Sequence, residues 1–160
     1  MDLGTLLIGG TCTTLCAMPF VATAIGRNKR QKTSFQALSA IAAKYNSTIT
    51  SYGTCSRMAI GIDDSKNMAF FYKKLDDTVI EQALNLEDIA SCSMIITRRP
   101  KKNKTDSGSA IERLELCFKP KVGNEISLWC FYDTNDDALI SGELDLIQLW
   151  EQRLKAYLVK

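Results

Sequence analysis

The chain has 160 residues, with 20 Lys and Arg against 18 Asp and Glu and no histidine. Lack of histidine excludes Ser-His and Cys-His nucleophile pairs, imidazole zinc ligands and imidazole acid-base catalysis. The sequence contains neither a G-x-x-x-x-G-K-[ST] nor a G-x-G-x-x-G loop, so the usual nucleotide-phosphate cradles are excluded as well.

The first element is an uncharged stretch from Leu3 to Gly26, followed at once by Arg27, Lys29, Arg30 and Lys32. About 20 residues of helix cross a bilayer core, so the stretch is long enough to be a single-pass anchor, and Gly and Thr are tolerated in such helices. Ala22-Thr23-Ala24 offers the alternative of a cleaved signal peptide and a secreted domain. The flanks oppose it, because a signal peptide carries its positive charge before the apolar segment, whereas here Asp2 precedes and the basic cluster follows. The positive-inside rule then places the N-terminus outside and the bulk of the chain in the cytoplasm. Cys12 and Cys16 share one helix face, and Gly9 with Thr13 and Gly10 with Thr14 are small-xxx-small pairs, but all of these read more simply as small residues of a Gly- and Thr-rich span.

The expected division is 1–32 for the anchor with its basic flank and 33–160 for one soluble domain including a lead-in helix. With Asp2, Arg27, Lys29, Arg30 and Lys32 set aside, 16 of the 20 basic and 17 of the 18 acidic residues remain. The basic excess therefore belongs to the membrane flank, which disfavours nucleic acid as a partner. Cys55, Cys92, Cys117 and Cys130 form no C-x-x-C pair and read as free thiols of a reducing compartment.

Thr33-x-x-Gln36 has the form of a capping box, and Phe35, Leu38, Ile41, Ala42 and Tyr45 follow at helical spacing, predicting an amphipathic helix from Thr33 to Asn46. Its stripe packs either on the domain or on a membrane surface, and packing on the domain is the favoured reading. Strands are then predicted at Thr48–Tyr52, Arg57–Ile62, Met68–Lys73, Val79–Leu84, Ala90–Thr97, Ile111–Phe118 and Glu125–Tyr132. In the sixth, Leu114, Leu116 and Phe118 share a face opposite Arg113 and Glu115. In the seventh, Leu128, Trp129 and Phe131 supply the apolar content. A last helix from about Gly142 to Leu158 carries a stripe of Leu146, Ile147, Trp150, Leu154, Tyr157 and Leu158, with Glu151 on its polar side.

This layout, together with Met58-Ala59-Ile60-Gly61-Ile62-Asp63, the Met68 to Tyr72 run, Ile111-Glu112-Arg113-Leu114-Glu115-Leu116 and Phe131-Tyr132-Asp133, resembles small uncharacterised bacterial membrane proteins of the Bacteroidota type with a pleckstrin-homology-like (PH-like) domain. The resemblance covers residues 35 to 158. It implies an α+β fold: a transmembrane helix, a short amphipathic helix, and a PH-like seven-stranded antiparallel β-barrel or sandwich capped by a C-terminal helix. It implies no established activity. Many eukaryotic PH domains hold phosphoinositides through basic residues between their first two strands. Here those loops offer only Arg57, or Lys66 beside Asp63 and Asp64, so phosphoinositide recognition is not implied.

The carboxylate pairs Asp63-Asp64, Asp76-Asp77, Glu87-Asp88 and Asp136-Asp137 all fall in predicted turns, where Asp serves the backbone. Asp133-x-Asn135-x-Asp137 begins like a calcium loop but lacks the required glycine and terminal glutamate. No catalytic, metal or cofactor site is expected, and no cofactor. The candidate contacts to an anionic surface are Arg27, Lys29, Arg30 and Lys32, and Arg98, Arg99, Lys101, Lys102 and Lys104 in a polar loop without aromatic residues for base stacking. The functional expectation is a non-enzymatic, membrane-tethered interaction module binding the bilayer and a protein or a second copy of itself, through the groove beside the last helix and a sheet edge. The alternative is anionic-lipid or nucleic-acid contact through the 98–104 loop.

Overall fold

In the computed structural model the described residues are 29–99, 110–137, 139, 140 and 142–158. The apolar stretch from Leu3 to Gly26, Arg27 and the loop residues Lys101, Lys102 and Lys104 lie outside them. Helix α1 runs over residues 29–44. Seven strands follow: β1 (Ser51–Cys55), β2 (Met58–Asp63), β3 (Met68–Lys74), β4 (Val79–Asn85), β5 (Ile89–Arg99), β6 (Ala110–Pro120) and β7 (Ser127–Asp133). Helix α2 (Glu143–Leu158) closes the chain. The fold is α+β, with a four-stranded antiparallel sheet ordered β1-β2-β3-β4 and a three-stranded antiparallel sheet ordered β5-β6-β7.

The expected barrel is not closed, because among the described residues no ladder joins the two sheets. Between β4 and β5 the chain turns through a 3-10 segment, Leu86–Asp88, capped by Asn85, whose side chain accepts the Glu87 N–H. On the other side the sheets meet through side chains: Gln82 Nε2 donates to the Leu128 carbonyl at 3.4 Å and Lys73 Nζ to the Phe131 carbonyl at 3.3 Å. Bulges at Ile89/Ser91, Thr97/Arg98 and Leu114/Glu115 bend the smaller sheet.

The core lies between the sheets. Met58, Ile60, Ile62 and Phe71 face Leu114, Leu116, Phe118, Trp129 and Phe131, and α2 inserts Ile147, Trp150 and Leu154 into the same cluster. Phe71 packs on Trp129 and Phe131 with ring centroids 5.4 Å apart in each case. Leu128 does not join this core: Trp129 and Phe131 point inward, and alternation sends Leu128 outward, 43% exposed.

A second cluster sits on the far face of the larger sheet. There Leu38, Ile41 and Ala42 of α1 cover Ala59, Phe70 and Tyr72, so every residue of β2 is buried. Gly61 permits this closeness, since a Cβ there would lie 2.9 Å from Leu38 Cδ2 and 3.0 Å from the Ser51 carbonyl oxygen. Phe35 also packs on Tyr52, with centroids 4.2 Å apart. The stripe of α1 thus packs on the domain, which was the favoured alternative.

The capping box is a misreading. Thr33 lies inside α1 and its hydroxyl donates back to the Lys29 carbonyl at 3.0 Å, so the helix already includes Lys29, Arg30 and Lys32. It ends at residue 44, two short of the expected Asn46, which instead closes it: Asn46 takes a positive φ of 53°, Ser47 N–H reaches the Ala42 carbonyl and Asn46 N–H the Ala43 carbonyl, the two bonds of a Schellman cap.

Candidate functional site

The feature that stands out among the described residues is a cavity of about 720 Å³ at one end of the larger sheet. Lys29, Arg30, Thr33 and Ser34 come from the first turns of α1, Ser56 and Arg57 from the β1–β2 turn, and Tyr72, Lys74, Leu75 and Asp76 from the end of β3 and the turn beyond it. Four cations and one carboxylate line it. The fold places them by ordinary means. Cys55 and Met58 pair directly, so Ser56 and Arg57 make a tight turn, with Ser56 at φ 49°. Arg57 and Lys74 are adjacent because Lys74 N–H donates to the Arg57 carbonyl at 2.9 Å.

The cations are held unequally. Arg57 donates to Asp76, whose side chain is 84% exposed, and its other nitrogen lies 3.9 Å from Asp137. Asp137 is partly buried and receives Lys73 Nζ at 2.7 Å, the lysine being 2% exposed. Lys29, Arg30 and Lys74 are exposed and have no carboxylate partner among the described residues.

Of the expected surface contacts, Lys29 and Arg30 reach this cavity and Lys32 does not line it. Arg98 and Arg99 are exposed at the end of β5, where Arg99 pairs with Glu112 at 2.5 Å. Arg57 and Lys74 were not expected to take part. Arg57 is the one cation of its turn and Lys74 follows Lys73 at the end of β3, and only the β2–β3 pairing and the seating of α1 unite them with Lys29 and Arg30.

The turn carboxylates serve the scaffold. Burial pushes the Asp63 carboxyl up, but hydrogen bonds from the Ser65 hydroxyl and the Thr48, Ser65 and Lys66 N–H groups outweigh it and hold the group below the ordinary carboxylate value. Asp133 is also held low, by the Asn135 N–H first and, against the effect of burial, by Arg113, which lies 2.6 Å away. Asp64 accepts from the Tyr157 hydroxyl, and Glu87 from Asn67 at 3.1 Å. Among the described residues no group of three or more Cys, Asp or Glu could hold a metal ion.

None of Cys55, Cys92, Cys117 and Cys130 is in a disulfide. Burial, with Glu143 next in effect, pushes the Cys55 thiol up to about 11, and burial followed by Glu151 pushes Cys92 up to about 12. Neither is a ready thiolate at neutral pH.

The groove beside α2, expected as a contact region, is partly closed. Glu151 is half-buried, and its carboxylate accepts the Met94 N–H of β5 at 2.9 Å, filling a backbone position that an added strand would use. No family model matches the chain, and no curated protein and no solved structure matches it. Among the described residues no helix is long and apolar enough to cross a membrane.

Proposed function

We propose that this chain is a membrane-tethered interaction module with a PH-like domain and no catalytic chemistry of its own, which binds a protein segment or a second copy of itself. The uncharged stretch from Leu3 to Gly26 is the anchor, with the N-terminus outside and the folded domain on the cytoplasmic side.

The observation that carries this reading is the seating of α1. Lys29 follows Gly26 by three positions and is already helical, and the same helix is fastened to the larger sheet through Leu38, Ile41 and Ala42. A domain joined in this way stays close to whatever holds the apolar stretch. Two packed antiparallel sheets with a C-terminal helix in their core support the PH-like assignment. The engagement of Asp63, Asp64 and Asp133 in turns and the raised thiols of Cys55 and Cys92 support a binding role over a chemical one.

Topology reporters fused after Lys32 and after Lys160 test the tether. Cytoplasmic-reporter activity at both positions is expected, and exported-reporter activity at either sinks the assignment. Crosslinking in membranes before detergent extraction tests the partner. A specific adduct with another chain or with a second copy is expected, and recovery of uncrosslinked monomer alone counts against the module.

A further inference from the structure

The cavity beside α1 has the size of a small-ligand site and the charge of an anion site. Its cations come from three separate segments and converge on one concavity, which a merely solvated charge run does not do. Arg57 presents a planar fork suited to two oxygens of one anion, while Lys29, Arg30 and Lys74 add charges free of carboxylate partners among the described residues.

The two carboxylates on Arg57 differ in what it takes to displace them. Asp137 is 16% exposed at its side chain and is fixed by the buried Lys73 at 2.7 Å. Asp76 is 84% exposed on a turn, where an ion pair is weak and screened by water and salt. Arg57 is thus backed by a fixed carboxylate and faced by a loosely held one that belongs to the cavity lining.

We propose that this cavity binds a phosphate-bearing anion and that Arg57 exchanges the Asp76 carboxylate for it. Asp76 occupies the anion position while the cavity is empty and swings into solvent when phosphate enters. Under the membrane-tethered reading above, on which this source alone rests, the phosphate is the headgroup of an anionic phospholipid; a soluble phosphate ester offers the same chemistry.

The test uses the full chain in neutral maltoside micelles and follows the Arg57 side-chain N–H resonance by NMR. Inorganic phosphate, glycerol phosphate, phosphatidylglycerol and phosphatidylcholine are titrated in turn. Phosphatidylglycerol is expected to shift the resonance saturably and phosphatidylcholine to leave it in place. Read on the Lys74 and Lys29 amides, Arg57→Gln and Lys74→Gln are each expected to weaken binding about fivefold, and Asp76→Asn to tighten it by a similar factor.

Saturable shifts with the soluble phosphates but not with the lipid retain the site and overturn the headgroup as its source. No shift with any phosphate overturns the site, as does an equal loss from the paired change of Arg98→Gln with Arg99→Gln. Unchanged affinity in Asp76→Asn overturns the exchange. A reversed reporter topology with an intact Arg57 response overturns the cytoplasmic orientation alone, whereas correct topology with a silent Arg57 overturns the cavity alone.

Discussion

The two helices bear similar amphipathic patterns but occupy different places. Helix α2 puts Ile147, Trp150 and Leu154 between the sheets, among Trp129, Phe131 and Phe71, so removing it would open the main core. Helix α1 lies outside, with Leu38, Ile41 and Ala42 against a sheet face of small and aromatic residues. The core between the sheets does not depend on α1 for closure. An apolar stripe reports that a helix is covered, but not whether the fold is built around it or covered by it.

Trp150→Ala is the largest test of the contrast. Its ring is 1% exposed and abuts Gly53, where a Cβ would fall 2.5 Å from Nε1. Truncation is expected to cost about 3–5 kcal/mol, read as a lower denaturation midpoint for the whole domain. Leu38→Ala is expected to cost about 2–3 kcal/mol, with faster hydrogen exchange in α1 while the amides of α2 keep their protection. Equal acceleration in both helices would break the comparison.

Gly61→Ala probes the outer seat alone. The new methyl meets Leu38 and the Ser51 backbone, so about 1–3 kcal/mol of destabilisation is expected, again concentrated in α1 exchange. Acid separates two further points of the fold. The folded pKa values of Asp63 and Asp133 lie below their ordinary value of 3.8, so their stabilisation is complete above that value and is lost as pH falls through the lower folded values. The unfolding midpoint is expected to stay level from about pH 7 to 5 and to drop below about pH 4. Asp63→Asn should shrink that drop and Asp133→Asn should shrink it independently. The smallest effect belongs to Lys44→Ala: its pair with Glu81 on β4 is exposed on both sides, and a change of about 0–1 kcal/mol is expected from thermal melts.

Strand existence was readable because a period of two survives in nearly every run, and Met58, Ile60 and Ile62 do face the main core. What periodicity could not carry was which second face is covered. Ala59 and Gly61 look like a weak polar-side pair, yet small size is what lets α1 approach. Thr33 resembled a cap because a Thr hydroxyl can either accept a backbone N–H at a helix start or donate to the carbonyl one turn back inside the helix, and the sequence does not say which; here it donates to Lys29. The burial of Lys73 and the exposure of Leu128 depend on how the two sheets are set against each other, which no single strand records. The cavity was illegible for the same reason, since Arg57 and Lys74 acquire their neighbours only through long-range pairing.

The seam between the sheets is fastened near β7 by Gln82 on Leu128 and Lys73 on Phe131 rather than by a strand ladder. Each such bond contributes on the order of 0.5–1.5 kcal/mol, more where a charge is involved, and neither needs the backbone to change its pairing when it lets go. The sandwich therefore has a preferred side from which to part, as a book opens opposite its spine. Water reaching Phe71 and Trp129 would enter there first, and the slowest-exchanging amides should lie on β2, β3 and β6, the strands paired on both sides.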